Sequence, residues 1–183
     1  MTYAQIDTNL RRGGEIFIYS LWIQSQMTDL IILNDHPRII RKFVDYPKTI
    51  PPTLRNNRMK YWRKSFGYIK KEFIKRFNNS LSDQALQDLN TVYFIRNAIG
   101  HSYVSLARHY FLYRPDSRRK LIAFKKSFDV VNQSADAAKP IVFKFDFSND
   151  EIYIHNYDAI KRLDEVHLRT LAVALNIPHS RIR

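Results

Sequence analysis

Residues 15–33 read EIFIYSLWIQSQMTDLIIL, and this stretch decides the fold class of the chain. Its apolar side chains recur at the three- and four-residue spacing of an α-helix, and other large apolar residues between them leave little polar face. The residues at helical spacing are Ile16, Tyr19, Ile23, Met27 and Leu30. Such a helix is typical of the centre of a bundle, so we expect a mainly α protein. Polar residues interrupt the apolar run at Gln24, Gln26, Thr28 and Asp29, which argues against a signal peptide or a membrane span.

Composition and net charge indicate which classes of partner this chain can bind. The chain has 183 residues with 45% hydrophobic content, so we expect a single domain over residues 1–183 with its own core. Lys and Arg number 30 against 17 Asp and Glu, and the formal net charge of +13 attracts RNA, DNA or an acidic protein. The absence of cysteine excludes disulfides and thiolate metal sites. We therefore expect a cytoplasmic protein with no cofactor, no metal and no membrane contact.

A strongly basic helix is predicted after a proline-rich connection at residues 45–53. Its apolar stripe, at helical spacing, consists of Trp62, Phe66, Ile69, Phe73 and Phe77. Between Arg55 and Arg76 there are nine basic residues and one acidic residue, Glu72. So one-sided a charge favours contact with RNA phosphates, and the alternative is a solvated helix face. The candidate RNA-binding residues here are Arg63, Lys64, Lys70, Lys71 and Lys75.

The remaining elements follow from turn and capping signals. Ser80 with Asp83 resembles a capping box, and helical periodicity then runs from Leu81 towards Arg114-Pro115, which completes a helical core over about residues 14–115. A β-hairpin and a last helix are expected over about residues 139–177. The alternating hairpin residues are Ile141, Phe143, Phe145 and Phe147, then Ile152 and Ile154 after the turn at Ser148-Asn149-Asp150. The last helix is predicted to begin at Asp158 and to bury Ile160, Leu163, Leu171 and Leu175.

Residues 96–103 read RNAIGHSY, and we predict that they form the working site. An Arg followed five positions later by His is expected by chance about 0.6 times in a chain of this composition, and requiring Asn directly after the Arg lowers this to about 0.04. On an ideal helix, Asn97, His101 and Arg108 fall within about 40° of one another, nearly opposite the apolar stripe. That stripe consists of Val92, Ile95, Ile99, Leu106 and Tyr110. A histidine on this face is not a core residue.

Gly100 is a second signal in the same segment. On an ideal helix it lies between the directions of Arg96 and Asn97. Glycine inside a helix costs about 1 kcal/mol relative to alanine, so we expect another group to pack or bind closely against this surface.

This combination resembles the HEPN superfamily, compact helical bundles whose third major helix carries Arg, a polar residue, three more residues and then His. The match is RNAIGH, with Arg96, Asn97 and His101 at the motif positions. The resemblance covers the helical core, with the hairpin and last helix as an elaboration. It implies a homodimer that cuts RNA without metal at a site shared by two protomers. Some members that pair with a small nucleotidyltransferase carry a tyrosine two residues after the histidine, as Tyr103 does here, and adenylylation of that tyrosine silences the enzyme.

The residue types suit this chemistry independently. An imidazole changes protonation between about pH 5 and 8 and can accept the proton of a ribose 2′-hydroxyl, while an arginine offsets the charge that develops on the phosphate. Attack of the 2′-oxygen on phosphorus would leave a 2′,3′-cyclic phosphate and a 5′-hydroxyl. Asn97, one turn from His101, could orient the imidazole or hydrogen-bond the phosphate. We therefore predict an endoribonuclease, either a toxin or a defence effector, with an antitoxin or a nucleotidyltransferase as a further partner.

Other interpretations stay open at this point. Arg96, Asn97 and His101 could be ordinary surface or interface residues, and packing could account for Tyr103 as well as a regulatory role does. The alternative function is a non-catalytic RNA- or nucleotide-binding HEPN protein, and a third class is a scaffold that binds an acidic protein. No His-Glu-x-x-His motif, Gly-rich phosphate loop or nucleophile elbow is present in the sequence.

Overall fold

A computed structural model describes residues 2–104, 109–128 and 142–183 and confirms the predicted mainly helical protein, which also contains a small antiparallel sheet. The helices are α1 (Tyr3–Asp35), α2 (Ile40–Asp45), α3 (Pro52–Trp62), α4 (Phe66–Phe77), α5 (Asp83–Gly100), α6 (Arg118–Phe128), α7 (Asp150–Arg162) and α8 (Arg169–Ala174). The strands are β1 (Tyr103–Val104), β2 (Phe111–Tyr113) and β3 (Phe143–Phe145). A π-helical turn, Leu163–Leu168, joins α7 to α8.

Helix α1 contains the stretch that opened the sequence analysis and extends it by about three turns towards the N-terminus. Of the five residues predicted for its core stripe, Ile16, Ile23, Met27 and Leu30 are fully buried. The helix is long and apolar enough to cross a membrane, and 61% of its most apolar window is buried inside the protein. Burial of this extent is what a core helix requires.

The chain divides into two compact units. The first comprises Met1–Ser20 and Asn90–Ile160, and the second comprises Leu21–Leu89 and Lys161–Arg183. The prediction of one domain over residues 1–183 stays a prediction.

The first unit contains the sheet, whose order is β1-β2-β3. Val104 pairs with Phe111, and Phe111 pairs in turn with Phe145. Phe124 of α6 is buried against the sheet, with its ring centroid 4.4 Å from that of Phe143 and 5.1 Å from that of Tyr113. Aromatic packing of this kind adds stability beyond the buried area.

Helix α1 joins the sheet through two residues of its N-terminal half. The buried Asn9 donates to the carbonyl of His109 and accepts a hydrogen bond of 2.9 Å from the backbone N–H of Phe147. One turn later, a Cβ at Gly13 would lie 2.7 Å from Cζ of Phe111, a distance that side chains do not tolerate. Glycine is therefore required where α1 meets β2.

The second unit is organised by α4, whose buried residues are Phe66, Ile69, Phe73 and Phe77. The apolar stripe of the basic helix is thus confirmed except at its first member. Trp62 ends α3 and is 82% exposed. The helix is interrupted there because Ser65 caps a new helix. Its hydroxyl accepts a hydrogen bond of 3.2 Å from the N–H of Tyr68.

Buried carboxylates with cationic partners hold the rest of the second unit together. Asp29 accepts two hydrogen bonds, of 2.6 and 2.5 Å, from the guanidinium of Arg58. Asp88 accepts hydrogen bonds of 2.7 and 3.0 Å from Arg162. Burial raises the pKa of Asp29, and Arg58 opposes that rise.

Three predictions about elements were wrong. The predicted third helix does not reach Arg114-Pro115, because α5 ends at Gly100 and the chain then forms β1 and β2, so Tyr110 belongs to no helical stripe. Its N-cap is Ser82, whose hydroxyl accepts from the N–H of Ala85 at 3.1 Å, and not Ser80. Lastly, β3 pairs with β2 and has no hairpin partner at Ile152 and Ile154, which lie in α7.

Helix α7 also replaces the predicted helix start at Asp158 with a start at Asp150. Asn149 makes this start possible, since its side-chain oxygen accepts a hydrogen bond of 2.9 Å from the N–H of Glu151, while two acidic residues occupy the positive first turn. The burial predicted for the last helix is confirmed at Ile160, Leu163 and Leu171, and Leu175 is half-buried. Ile141 of the predicted hairpin lies outside the described residues.

Candidate functional site at the end of helix α5

The motif occupies the last turn of α5 and the residues after it. Val92, Ile95 and Ala98 are buried, which fixes the opposite side of the helix as its outer face. The helix ends after Gly100, where the carbonyl of Ala98 accepts from both the hydroxyl of Ser102 and the backbone N–H of His101. The motif residues thus lie at a helix terminus.

Arg96 is half-buried, and its guanidinium is held on two sides. One terminal nitrogen donates a hydrogen bond of 3.0 Å to the side-chain oxygen of Asn97. Its Cζ lies 5.6 Å from the ring centroid of Phe17 on α1, a cation–π distance. Its Nε is buried and has no hydrogen-bond partner among the described residues. A buried guanidinium N–H without an acceptor is energetically costly.

His101 follows directly after the helix, one turn beyond Asn97. Its backbone N–H donates to the carbonyl of Asn97 at 3.1 Å, and its side chain is exposed. Within the described ranges the imidazole has no hydrogen-bond partner. The prediction that this histidine is not a core residue is confirmed.

Gly100 lies beside the same aromatic ring as Arg96. A Cβ at this position would lie 3.4 Å from Cε2 of Phe17, at the near edge of ordinary van der Waals contact. The close approach that the sequence predicted therefore exists within the chain, between α5 and α1. Phe17 is the residue of this site that the sequence reasoning missed, because nothing in the motif indicates which side chain of a distant helix will lie beneath it.

Tyr103 lies beyond the end of α5, on a strand and not on the helix that the sequence predicted. Tyr103 belongs to β1 and is 82% exposed, so packing within the described chain does not account for it. Arg108 and Leu106 lie outside the described residues.

The other predicted RNA-binding residues are in the second unit. Arg63 and Lys64 are exposed in the link between α3 and α4, and Lys71 and Lys75 are exposed on α4. Lys70 is half-buried, and desolvation lowers its pKa to about 8. The charge of the basic helix is lower than the sequence suggests, since Arg76 forms ion pairs of 2.7 Å with both Asp35 and Glu72.

A cleft of about 770 Å³ opens at the corner between α3 and α4. Its aromatic lining residues are Tyr61, Trp62 and Tyr68, and its basic lining residues are Lys60, Arg63 and Lys64. Lys64 lies over the ring of Tyr68, with its Nζ 5.1 Å from the ring centroid. The sequence signal for this cleft is Trp62, a tryptophan among basic residues. Its apolar spacing assigned it to the core stripe of the basic helix.

Neither a metal site nor a known relative adds residues to the candidate functional site. The described part of the chain contains no group of three or more His, Asp or Glu side chains placed to hold a metal ion. Comparisons of the chain with protein-family models, curated proteins and solved structures found no match.

Proposed function

We propose that this protein is a cytoplasmic endoribonuclease of the HEPN type that cleaves RNA without a metal ion. The observation that carries the proposal is that a half-buried guanidinium at Arg96 and an exposed imidazole at His101 lie five positions apart at the end of α5. The guanidinium would bind a phosphate of the RNA, and the imidazole would handle the proton.

The reaction is a transesterification followed by release. His101 accepts the proton of the ribose 2′-hydroxyl, and the 2′-oxygen forms a bond to the adjacent phosphorus while the bond from phosphorus to the 5′-oxygen breaks. Arg96 offsets the negative charge on the phosphate oxygens, and the leaving 5′-oxygen takes up a proton. The products are a 2′,3′-cyclic phosphate and a 5′-hydroxyl. The hydrogen bond from Arg96 to Asn97 restricts the guanidinium to one orientation, which reduces the entropy lost when phosphate is bound.

A two-fold dimer would supply the second proton-handling group. One chain offers one histidine and one arginine, whereas in-line transfer benefits from a base and an acid on opposite sides of the phosphorus. In an isologous dimer formed at the end of α5, both copies of Arg96, Asn97 and His101 would line one cleft. We propose this arrangement, restrained in the cell by an antitoxin or by a nucleotidyltransferase that adenylylates Tyr103.

The test is cleavage of RNA by purified protein in excess chelator. His101→Ala should reduce cleavage by at least 100-fold, since a general base contributes on the order of 10²–10⁴-fold. His155→Ala is the matched control, because His155 is also an exposed histidine of the first unit and should leave cleavage unchanged. Full activity of His101→Ala in a folded sample would refute the assignment.

Arg96→Ala should be nearly inactive as well, and the product ends give an independent check. RNA with a 2′-deoxy or 2′-methoxy group at the cut position should survive, because the nucleophile is missing. A 3′-phosphate formed with no cyclic intermediate, or cleavage of DNA, would exclude attack by the 2′-oxygen.

The alternative is a protein that binds RNA or nucleotides without cutting them. The specific observation in its favour is the basic and aromatic cleft at the corner of α3 and α4, which is suited to binding and contains no histidine among its lining residues. Wild-type protein that binds RNA with micromolar affinity but leaves it intact would establish this alternative.

A further inference from the structure

We infer that the cleft at the corner of α3 and α4 is a binding site for single-stranded RNA, in which Trp62 and Tyr68 stack on unpaired bases. The choice of RNA rests on the proposed function, and the inference adds the class of RNA that is bound. The cleft lies wholly within the second unit.

The exposure of the apolar side chains is the first observation. Trp62 is 82% exposed, Met59 is 56% exposed and Tyr68 is 42% exposed, and all three line the cleft. Tryptophan on a protein surface favours a binding role, because it offers a large rigid platform that loses little conformational entropy on binding. The position is built by the fold, since Trp62 ends α3 and Ser65 caps α4 three residues later.

The arrangement of the rings is the second observation. The ring centroids of Tyr61 and Tyr68 are 6.5 Å apart with an angle of 49° between the ring planes, so they do not stack on each other. Lys64 lies over one face of Tyr68, and Trp62, which is 82% exposed, is the ring most available to a planar group entering the cleft. Stacking on such rings accepts any base, because every base has a π face, and it therefore predicts binding with little sequence preference.

The charge of the lining is the third observation. Lys60, Arg63 and Lys64 are exposed, and the residues that line the cleft include no acidic side chain. A set of cations between aromatic platforms matches a strand in which phosphates alternate with bases. An acidic peptide would satisfy the cations but would leave the aromatic rings without a partner.

Single-stranded RNA fits better than a duplex for a physical reason. In a duplex, each base is stacked on its neighbours and its faces are covered, so exposed protein rings gain nothing from them. In a flexible single strand, the bases can separate and insert between protein side chains. The cleft should therefore bind a single strand more tightly than a duplex of the same charge.

The experiment uses Trp62 as its own reporter. The chain has two tryptophans, so the Trp22→Phe variant leaves Trp62 as the only one, and His101→Ala is added to keep the RNA intact. Titration with a single-stranded oligouridine of about ten nucleotides should quench the fluorescence of Trp62. Polyglutamate, which has charge but no bases, should bind weakly and leave the fluorescence unchanged.

Substitutions separate stacking from charge. Trp62→Ala should weaken binding of the labelled oligouridine about tenfold, and Trp62→Phe, which keeps a ring, should restore most of the loss. Tyr3→Ala is the matched control, since Tyr3 is 92% exposed, lies outside the cleft and should not alter binding. Replacing Lys60, Arg63 and Lys64 with Gln should lower the slope of log affinity against log salt by about two, at roughly 0.7 per phosphate contact.

Several outcomes would overturn the inference. These are binding without quenching of Trp62, unchanged affinity of Trp62→Ala, equal affinity for duplex RNA, and quenching by polyglutamate, which would indicate an acidic protein as the partner. Failure of the proposed function gives a different pattern. If RNA binding depends on Trp62 but the protein never cleaves RNA, the inference about the cleft stands and the ribonuclease is excluded.

Discussion

Replacement of Gly100 by alanine tests the shared-site proposal through the sign of the change in the free energy of unfolding. Among the described residues no glycine has a positive φ, so Gly100 is not there for its backbone conformation. In a helix interior, alanine is more stable than glycine by about 1 kcal/mol, and as the last residue of α5 Gly100 should give roughly half of that. The new methyl group would contact Phe17 at 3.4 Å, which neither adds strain nor leaves a gap. We expect the folded chain to gain about 0.5 kcal/mol.

Two neighbouring glycines of α1 calibrate this expectation. A Cβ at Gly14 would meet nothing within 4 Å, so Gly14→Ala should give the full gain of about 1 kcal/mol. A Cβ at Gly13 would lie 2.7 Å from the buried ring of Phe111, so Gly13→Ala should be destabilising by roughly 1–3 kcal/mol. For a chain of this length, 1 kcal/mol corresponds to about 2–4 °C in Tm.

The assay is thermal and urea unfolding of the three variants at a concentration where the protein is monomeric. If Gly100→Ala is destabilised like Gly13→Ala, Phe17 cannot move aside, packing within one chain explains the glycine, and a close approach by a partner helix is not needed. Gly100→Leu then tests the interface itself, because a bulky side chain there should reduce dimerisation and cleavage together. Sedimentation that reveals a fully active monomer would refute the shared site but not the ribonuclease.

Two further predictions concern buried charges of the second unit. Arg58→Ala should lower the free energy of unfolding by about 3 kcal/mol, because it leaves Asp29 buried without its cation, and a loss below about 1 kcal/mol in urea unfolding would contradict this. For Lys70, burial lowers the pKa to about 8 from its usual value of 10.5, so below pH 8 the folded state carries a desolvated charge, and between pH 8 and 10.5 stability rises as that charge is lost. Lys70→Met should therefore raise Tm most below pH 8, with the difference shrinking towards pH 10.5, and a difference independent of pH would show that desolvation of Lys70 is not its cause.

Local patterns of the sequence predicted the helices better than the sheet. Helices α1 and α4 were predictable because their apolar residues repeat within the element itself. The strand β2 was predicted as helix, since Phe111 and Tyr113 are apolar and aromatic in either state and their pairing with β3 joins residues 30 or more positions apart. No local pattern contains such a long-range pairing.

The errors at Trp62 and at α7 have a common origin. In both cases an apolar spacing outweighed a capping residue, namely Ser65 before α4 and Asn149 before α7. A hydrogen bond from a side chain to a free helix N–H sets where the helix begins, whatever periodicity runs through it. A prediction that began a new helix after Ser65 would have placed Trp62 outside the core.

The candidate site was predictable in its motif but not in its surroundings. Arg96, Asn97 and His101 are close in sequence, so a local pattern contains all three. The side chain that lies against the motif is distant in sequence, because Phe17 lies beside Arg96 and Gly100 on a different helix. The order of residues within the motif carries no information about that contact.

The placement of Tyr103 on a strand changes what its modification would require and what it would do. Within the described part of the chain β1 is the last strand of its sheet, so one edge of its backbone is open to pairing with a strand of a modifying enzyme. A tyrosine inside a helix would first have to unfold, whereas this one is already extended and exposed. An adenylyl group attached to it would bring a phosphodiester within two residues of His101. That phosphate would be a tethered competitor of RNA, and its high effective concentration would make inhibition insensitive to the amount of substrate.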